Sequence, residues 1–333
     1  MHWGLIGASR IAAGHMIAAL RAQSGWKVTS VLSSDSARGA VFAQDNDIAS
    51  SFTDLDALLA QSDVDAVYIS TTNEKHHAQA LAAIAAGKHV LCEKPLAMTL
   101  EEAVEMVQAA RDKRVIFATN HHLRNAGSHL AIRDLIRSGR IGTVLSARVF
   151  HAVSLPEQLR GWRIDNPAAG GGVIPDIAVH DADTVRFHLG EDPVEVVAQS
   201  AASGLGRGVE DSVMSVWKMP SGVMVQAHES FTHRFAATGI EFHGTDGSIY
   251  ARNVMTQQPV GEVWVEDAQG RHEVTFDTHD LYVRSMSLMD DAIRGEGRPS
   301  ADGMDGVKSL AVALAIKAAA DSGAAVRVDY GGV

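Results

Sequence analysis

The sequence contains little of several residue types, and each shortage excludes a class of protein. Its 333 residues include one cysteine, which excludes a disulfide framework and a structural zinc site made of cysteines. Lys and Arg total 29 against 40 Asp and Glu, so the formal net charge is -11 and a basic face for nucleic acid or an anionic membrane is not expected. Aromatic residues make up only 5%. No apolar run is long enough to span a membrane.

The length indicates two domains, each large enough to bury its own core. Residues 3–20 are apolar enough to resemble a signal peptide, but no basic leader precedes them, and Arg10 and His15 interrupt the run. A strand that enters a helix is the better interpretation. We therefore expect a cytoplasmic protein, and the single cysteine is typical of a reducing compartment.

In the first third of the chain, apolar strand patterns alternate with helical patterns of about a dozen residues. This alternation predicts βαβ units and a doubly wound parallel sheet, which is the Rossmann class of α/β fold, over residues 1–121. The expected strands are His2–Ile6, Lys27–Leu32, Ala66–Ser70, His89–Cys92 and Val115–Thr119.

The pattern changes after about residue 121. Between residues 194 and 277, successive strand patterns are joined by short turns such as Pro220-Ser221-Gly222, and strands joined in this way pair antiparallel. We expect an α+β domain over residues 122–333 with a large open, mainly antiparallel sheet. A helix over Val307–Ala320 follows, and it could pack back on the first domain.

The first strand leads into a loop with the spacing of a dinucleotide-binding fingerprint, G-x-G-x-x-G. Serine and alanine replace its second and third glycines, and both are small enough for a pyrophosphate to approach the backbone N–H groups at the helix N-terminus. An ordinary strand–helix turn is the alternative. The residues of the loop are Gly7, Ala8, Ser9, Arg10, Ile11 and Ala12.

The end of the second strand predicts which dinucleotide is preferred. An NAD site usually has a carboxylate here, whereas this chain has Ser33 and Ser34 with Arg38 one helical turn later. Two hydroxyls and a guanidinium suit the 2′-phosphate of NADPH. Asp35 is the counter-evidence, although its position also suits a helix N-cap. A solvated helix start with a surface arginine is the alternative.

Lys94 follows the fourth strand, at the edge where open α/β sheets bind ligands, and Pro95 after it restricts the backbone. An ammonium group there can donate to a carbonyl oxygen and stabilise the charge that develops during hydride transfer. A surface lysine is the simpler alternative. Cys92 is interpreted as a packing residue.

A third cluster follows the glycines at 170–172. In a helix, Asp176, His180 and Asp183 would lie at i, i+4 and i+7 on one face, and a carboxylate beside an imidazole can set its tautomer for proton transfer. A metal site that also uses His121 and His122 is one alternative. A helix-capping Asp176 with a structural histidine is another.

Together these motifs resemble the glucose–fructose oxidoreductase and inositol dehydrogenase (Gfo/Idh/MocA) family. The resemblance rests on the loop at 7–12, on Glu93-Lys94-Pro95, and on Gly171-Gly172 leading to Asp176 and His180. It implies a Rossmann domain and a C-terminal domain with an open sheet. With the residues at the end of the second strand, the expected cofactor is NADPH, and no metal is expected because a clear third or fourth ligand is lacking. The cofactor contacts that the resemblance implies beyond the first loop are Ser33, Ser34, Arg38, Thr71, Thr72, Asn73, His76, Glu93, Lys94, Asn120, Trp162, Arg163 and Tyr282.

The resemblance also implies an activity on a small-molecule keto-sugar. The expected reaction is NADPH-dependent reduction of the C2 carbonyl of 1,5-anhydro-D-fructose to 1,5-anhydro-D-mannitol. Lys94 would polarise the carbonyl, His180 would protonate the alkoxide and Asp176 would orient His180, although Lys94 and His180 could exchange the proton role. The alternatives are a dehydrogenase of another sugar, an inositol or a dihydrodiol, and a non-catalytic NADP-binding regulator. Monomer and homodimer both remain open.

Overall fold

Six parallel strands form the sheet of the first part of the chain in the computed structural model, which describes residues 1–332. Their order is β3-β2-β1-β4-β5-β6, so the winding reverses beside β1. Open α/β sheets bind ligands at the carboxyl ends of the strands at such a reversal. This sheet confirms the predicted Rossmann class. The strands are β1 (His2–Ile6), β2 (Lys27–Leu32), β3 (Ser50–Phe52), β4 (Ala66–Ile69), β5 (His89–Cys92) and β6 (Phe117–Thr119).

The helices between these strands begin where capping residues stop the extended chain. Thr99 accepts from the backbone N–H of Glu102, and the Glu102 carboxylate accepts from the backbone N–H of Thr99, which is a capping box. A π-helical turn, Ala12–Met16, precedes the first α-helix. The helices are α1 (Ile17–Arg21), α2 (Ser36–Asp45), α3 (Leu55–Leu59), α4 (His76–Ala85) and α5 (Leu100–Lys113).

A nine-stranded mixed sheet forms the later part of the chain, in the order β14-β13-β12-β11-β7-β10-β9-β8-β15. Neighbours pair antiparallel except β7 and β10, which are parallel, and this confirms the prediction of a large, mainly antiparallel sheet. The strands are β7 (Val144–Ala152), β8 (Glu195–Ala201), β9 (Ser212–Lys218), β10 (Met224–Ser230), β11 (Gly239–Gly244), β12 (Gly247–Arg252), β13 (Glu262–Asp267), β14 (Gly270–Glu273) and β15 (Val326–Arg327).

Helices cover one face of this sheet. Ile132 of α6, Val185 of α8 and Ile316 of α10 belong to one buried cluster with strand residues such as Val149 and Trp217. The opposite face exposes apolar side chains, among them Met214 and Val216 of β9 and Val197 of β8, which pairs with Val216. The helices that follow α5 are α6 (Gly127–Arg137), α7 (Trp162–Asp165), α8 (Val179–Leu189), α9 (Leu281–Ile293) and α10 (Gly303–Ser322). Within residues 1–332, none of the helices is long and apolar enough to cross a membrane.

The chain divides into two compact units. The first unit comprises residues 1–121 and 282–307, and the second comprises residues 122–281 and 308–332. Most of α9, a helix that the sequence pattern did not reveal, thus belongs to the first unit although it follows the second sheet in the chain. The domain limits 1–121 and 122–333 stay a prediction.

Candidate active site

The loop after β1 has the local geometry of a phosphate-binding turn. Gly7 has a φ of +118°, and a Cβ there would lie 3.0 Å from the backbone oxygen of Ser70, so this position requires glycine. The Ser9 hydroxyl lies 2.7 Å from that of Ser70 and accepts from the backbone N–H of Ala12 at 3.2 Å. Ser9 therefore caps the helix that the fingerprint predicts here. Arg10, at the first turn of that helix, is exposed.

Ser33, Ser34 and Arg38 lie together at the end of β2. Arg38 donates from Nε to the Ser33 hydroxyl at 3.1 Å and from Nη2 to the Ser34 hydroxyl at 3.3 Å. The Asp35 carboxylate accepts from the backbone N–H of Arg38 at 2.7 Å, which confirms its interpretation as a helix N-cap. Arg38 is exposed and Ser33 is buried, so this small cluster presents a guanidinium to an incoming anion.

The loop after β4 is held by side-chain hydrogen bonds. The Thr71 hydroxyl bonds Gln79 at 2.7 Å, the Thr72 hydroxyl donates to Glu74 at 2.8 Å, and Asn73 is buried. Fully buried His76 lies between two backbone oxygens, with Nδ1 2.8 Å from that of Pro95 and Nε2 3.3 Å from that of Thr71. Burial lowers the pKa of the His76 imidazole and so favours the neutral ring. A neutral ring has one N–H and donates to one of the two oxygens, of which that of Pro95 is the nearer.

The Glu93 carboxylate is held on one oxygen by two donors. The Tyr68 hydroxyl donates to Oε1, and Asn120 Nδ2 donates to the same oxygen at 2.6 Å. Burial, with the Glu93 charge beside it, raises the pKa of the Tyr68 phenol well above its usual value, so Tyr68 remains a donor. Lys94 follows as a half-buried residue, and its peptide bond to Pro95 is cis. Sequence reasoning missed Tyr68, which lies inside a fully buried apolar strand.

Two other predictions about the first unit concern Cys92 and Tyr282. Burial raises the pKa of the Cys92 thiol well above its usual value, so a packing role suits it better than reactivity. Tyr282, at the start of α9, is buried with its ring stacked on His15, the ring centres 4.8 Å apart. His15 was not among the predicted site residues.

In the second unit, Asp176 lies in a π-helical segment, Ile174–Ala178, that leads into α8 and His180. Arg163 donates from Nε to Asp176 at 3.3 Å, and its guanidinium also stacks over the Trp162 ring with 4.6 Å to the ring centre. Asp176 is thus held by a cation from α7. This ion pair was not predicted, because Arg163 was assigned only to the cofactor.

Asp176, His180 and Asp183, which the sequence pattern places on one helix face, have different surroundings. Asp183 is buried in a bidentate pair with Arg124, at 2.6 and 2.7 Å, so it is engaged in the core of the unit. His180 is half-buried and its ring is edge-on to that of His122, with ring centres 5.0 Å apart. The proposed proton-transfer group is therefore Asp176 and His180 without Asp183.

Glu210 anchors the start of the segment that carries Asp176. Its Oε1 accepts from the backbone N–H of Ile174 at 3.2 Å, at the helix N-terminus where a carboxylate is favourable. Gly172 has a φ of +120°, and a Cβ there would lie 2.3 Å from the same oxygen, which explains this glycine. Burial raises the pKa of Glu210. No sequence signal indicated Glu210.

Metal binding was the alternative for the histidines and carboxylates of this region. Over residues 1–332, no group of three or more His, Cys, Asp or Glu side chains is arranged to hold a metal ion. His121 and His122, the two histidines considered for it, are buried.

Comparison with known proteins gives two family matches along the chain. Residues 1–121 match the model of the oxidoreductase family with an NAD-binding Rossmann fold, and residues 129–250 match the GFO/IDH/MocA C-terminal domain. The two matched segments correspond to the Rossmann sheet and to much of the nine-stranded sheet.

Similar proteins cover the full length of the chain. A 1,5-anhydro-D-fructose reductase from Ensifer adhaerens is 55% identical over 330 residues, which are 99% of each chain. A D-xylose 1-dehydrogenase (NADP(+)) from Haloferax volcanii is 28% identical and covers 99% of this chain and 100% of its own. An aldose-aldose oxidoreductase from Caulobacter crescentus has the same fold, with a TM-score of 0.90 at 22% identity and coverage of 98% and 99%. The chain belongs to the Gfo/Idh/MocA oxidoreductase family.

The first unit fits the dinucleotide that this family binds. At Gly7 the backbone approaches that of Ser70 so closely that a Cβ would meet it, which is the tight turn that the dinucleotide-binding fingerprint requires. Asn120 Oδ1 is buried and lacks a donor within the described residues, so it can accept from a bound carboxamide. The residues present therefore suit an NAD(P) cofactor.

Proposed function

We propose that this oxidoreductase uses NADPH to reduce the C2 carbonyl of 1,5-anhydro-D-fructose to 1,5-anhydro-D-mannitol. The observation that carries the proposal is the 55% identity with a 1,5-anhydro-D-fructose reductase across 99% of both chains. Relatives that are 28–33% identical include a levoglucosan dehydrogenase, an inositol 2-dehydrogenase and a D-xylose 1-dehydrogenase, so family membership alone would leave the substrate open.

The first unit binds the cofactor in this proposal. Ser33, Ser34 and Arg38 surround the 2′-phosphate, because a guanidinium already oriented by two hydroxyls favours a dianionic group. The loop at 7–12 holds the pyrophosphate through backbone N–H groups. The remaining cofactor contacts proposed in the first unit are Thr71, Thr72, Asn73, His76, Glu93, Lys94, Asn120 and Tyr282, and residues 162 and 163 of the second unit, Trp162 and Arg163, are proposed to contribute as well.

The second unit supplies the proton in this proposal. The chemistry that NADPH would supply when bound is a hydride for C2, after which the carbonyl oxygen needs a proton to become a hydroxyl. Lys94 donates a hydrogen bond to that oxygen and stabilises its developing negative charge. His180 then gives up a proton to the oxygen, and the Asp176 carboxylate, held by Arg163, orients His180 and stabilises its charged form.

The functional division follows the two units. The first would be the NADP-binding domain and the second the substrate domain, while a cytoplasmic location, a monomeric or homodimeric state and the absence of a nucleic-acid partner stay predictions. A regulator without catalysis is disfavoured, since Lys94, Asp176 and His180 are all present.

The test is NADPH oxidation with 1,5-anhydro-D-fructose and a panel of other keto-sugars, aldoses and inositols, followed by identification of the product. We expect the highest kcat/KM with 1,5-anhydro-D-fructose, and 1,5-anhydro-D-mannitol as product. Lys94→Ala and His180→Ala should each lower kcat by about 10²-fold or more, with the Kd for NADPH little changed.

The matched controls are Lys113→Ala, in the exposed last turn of α5, and His272→Ala, on an exposed edge strand. Both should retain full turnover. Wild-type kcat in the Lys94 and His180 variants would overturn the assigned roles, and a preferred substrate outside the keto-sugars would overturn the proposed reaction.

A further inference from the structure

Three side chains of the second unit form a chain that the proposed reaction does not use. His151 Nδ1 lies 2.9 Å from Asp181 Oδ1, and Glu229 stands opposite His151 on the adjacent strand, with the Asp181 carboxyl as its charged neighbour. Glu229 and His151 are directly opposite in the parallel pair of β10 and β7, on the face that α8 covers. Three separate elements thus bring His151, Asp181 and Glu229 together.

The two carboxyl groups are buried with few donors. Both residues are 0% exposed. Among residues 1–332, no N–H or O–H group donates to Asp181 Oδ2 or to either oxygen of Glu229. Two adjacent ionised carboxylates without donors cannot be sustained in an apolar interior, since each lacks solvation and repels the other. A proton on one of them removes the repulsion and makes an O–H donor for the other.

We propose that Asp181 and Glu229 share one proton, carried by Glu229, and that the ionised Asp181 thereby fixes His151 and the turn of α8 that bears His180. Asp181 is the member in contact with His151 Nδ1, so the negative charge is best placed there. The protonated Glu229 then donates to Asp181 Oδ2. Glu229 and Asp181 are positioning residues in this proposal, and only the effect on His180 rests on the proposed function.

The surroundings of Glu229 favour its protonated form. Burial raises the pKa of the Glu229 carboxyl well above its usual value, and the neighbouring Asp181 charge raises it further. Its partner on β9, Val213, is apolar. The segment Ile174–Ala178 contributes Asp176, whose charge Arg163 already balances.

The arrangement has a defined consequence for His151. A hydrogen bond to an ionised Asp181 places the ring proton on Nδ1, and a neutral ring then has Nε2 as an acceptor. Asp181 also follows His180 directly on α8, so the two bonds to the Asp181 carboxylate limit rotation of this turn. The shared proton therefore couples the tautomer of His151 to the placement of His180.

The primary test is infrared difference spectroscopy of the whole protein at pH 7, with Glu229→Gln as the variant. Glutamine has the shape of a protonated glutamate and can donate to Asp181, so the variant should fold. We expect a protonated-carboxyl C=O band in the wild type that shifts in D₂O and is lost in Glu229→Gln. The control Glu241→Gln changes a half-exposed carboxylate on β11, opposite Arg148 of β7, and should leave the band intact. Absence of the band, or its persistence in Glu229→Gln, overturns the proposal.

A second measurement separates this proposal from the proposed reaction. In ¹⁵N NMR spectra, His151 should be an Nδ1–H tautomer in the wild type and in Glu229→Gln, and this signature should be lost in Asp181→Asn. If the Nδ1–H signature of His151 is lost in Glu229→Gln as well, the proposal that Asp181 and Glu229 share a proton is wrong. With 1,5-anhydro-D-fructose, kcat should fall about tenfold in Asp181→Asn and less than threefold in Glu229→Gln, with KM for NADPH unchanged.

Failure of the proposed reaction and failure of the proposed carboxyl pair give different results. If the chain reduces no sugar while both spectra are as expected, the proposed reaction is wrong and the carboxyl pair is retained. If the spectra are as expected and kcat of Asp181→Asn equals that of the wild type, the link to His180 is overturned.

Discussion

Arg163 and Asp176 form an ion pair in which the guanidinium Nε lies 3.3 Å from the carboxylate. Arg163 belongs to the short helix α7, and Asp176 to the π-helical segment that leads into α8. The two side chains are 28% and 17% exposed, so solvent screens the pair only in part. Arg163 therefore stabilises the charge on Asp176.

Replacement of Arg163 with alanine should reduce turnover without preventing cofactor binding. Loss of a charge-assisted hydrogen bond to a half-buried carboxylate corresponds to about 1.5 kcal/mol, or about a tenfold decrease in kcat. Arg163→Lys keeps the positive charge and should retain more activity than the alanine variant. Steady-state kinetics with NADPH and the sugar, and a separate titration of NADPH, would measure both effects.

The control for this variant is Arg207→Ala, which removes an exposed arginine from the same unit. Its kcat and its Kd for NADPH should equal those of the wild type. A rise in the Kd for NADPH with kcat unchanged in Arg163→Ala would instead assign Arg163 to the cofactor alone, as the family resemblance implies.

Ser33→Asp should shift the cofactor preference from NADPH towards NADH. The new carboxylate would take the place of the hydroxyl to which Arg38 Nε donates at 3.1 Å, so it would neutralise the guanidinium and repel a 2′-phosphate. It could also accept from a ribose 2′-hydroxyl. We expect the ratio of kcat/KM values for NADPH over NADH to fall by about 10- to 100-fold, a change of 1.4–2.8 kcal/mol.

Ser24→Asp adds the same charge at an exposed position and serves as the control. Its ratio of kcat/KM values for NADPH over NADH should equal that of the wild type. An unchanged ratio in Ser33→Asp would show that the end of β2 does not select the cofactor.

Asp211→Asn should destabilise the second unit. The Asp211 carboxylate accepts from the Ser203 hydroxyl and from four backbone N–H groups, those of residues 203, 204, 205 and 206, at 2.7–3.0 Å. These hydrogen bonds outweigh the cost of burial and lower the pKa of Asp211 to about 2. Asparagine has one acceptor oxygen and cannot satisfy the same set, so the free energy of unfolding at pH 7 should fall by about 2 kcal/mol in urea titrations.

The sign of the pH effect follows from the lowered pKa. The carboxylate contributes stability that is complete above its unfolded value near 3.8, and this stability is lost as the pH falls towards 2. The variant should lack this acid-sensitive component. Asp165→Asn, at an exposed position, is the control, and equal stability of the two variants at pH 7 would contradict the role of the carboxylate.

Local patterns predicted much of the fold. The bounds of β1, β2 and β5 agree with the expectation, because turn residues and short apolar runs mark them directly. The π-helical segment at 174–178 was not predicted, because the spacing of Asp176 and His180 is the same in a plain α-helix. The parallel pairing of β7 with β10 was also missed, since register between distant strands has no local signal.

The sequence predicted those residues of the candidate site that belong to motifs only a few residues long. Ser9, Ser33 with Arg38, and Lys94 stand at the ends of strands that the alternation reveals. Tyr68 and Glu210 act through contacts with residues 25 and 36 positions away, and nothing in their own neighbourhood marks them as polar partners. Such long-range hydrogen bonds are determined by packing and emerge only from the structure.

Two buried histidines of the second unit should make the protein sensitive to mild acid. His129 Nδ1 lies 3.0 Å from His188 Nε2, and His129 Nε2 lies 3.1 Å from the backbone oxygen of Val254. Burial lowers the pKa of His129 to about 4, and burial together with neighbouring positive groups lowers that of His188 well below its usual value.

As the pH falls below about 6.5, the unfolded chain binds protons at these two positions and the folded protein does not, so the free energy of unfolding falls. For His129 alone, the loss between pH 6.5 and 4 amounts to about 3 kcal/mol. His129→Gln keeps a hydrogen-bonding side chain without a titrating group, so its urea midpoint should decline less between pH 7 and pH 5 than that of the wild type. His272→Gln, which removes a half-exposed histidine, should decline as the wild type does. If the wild type and His129→Gln lose stability in parallel over this range, the acid sensitivity arises elsewhere in the protein.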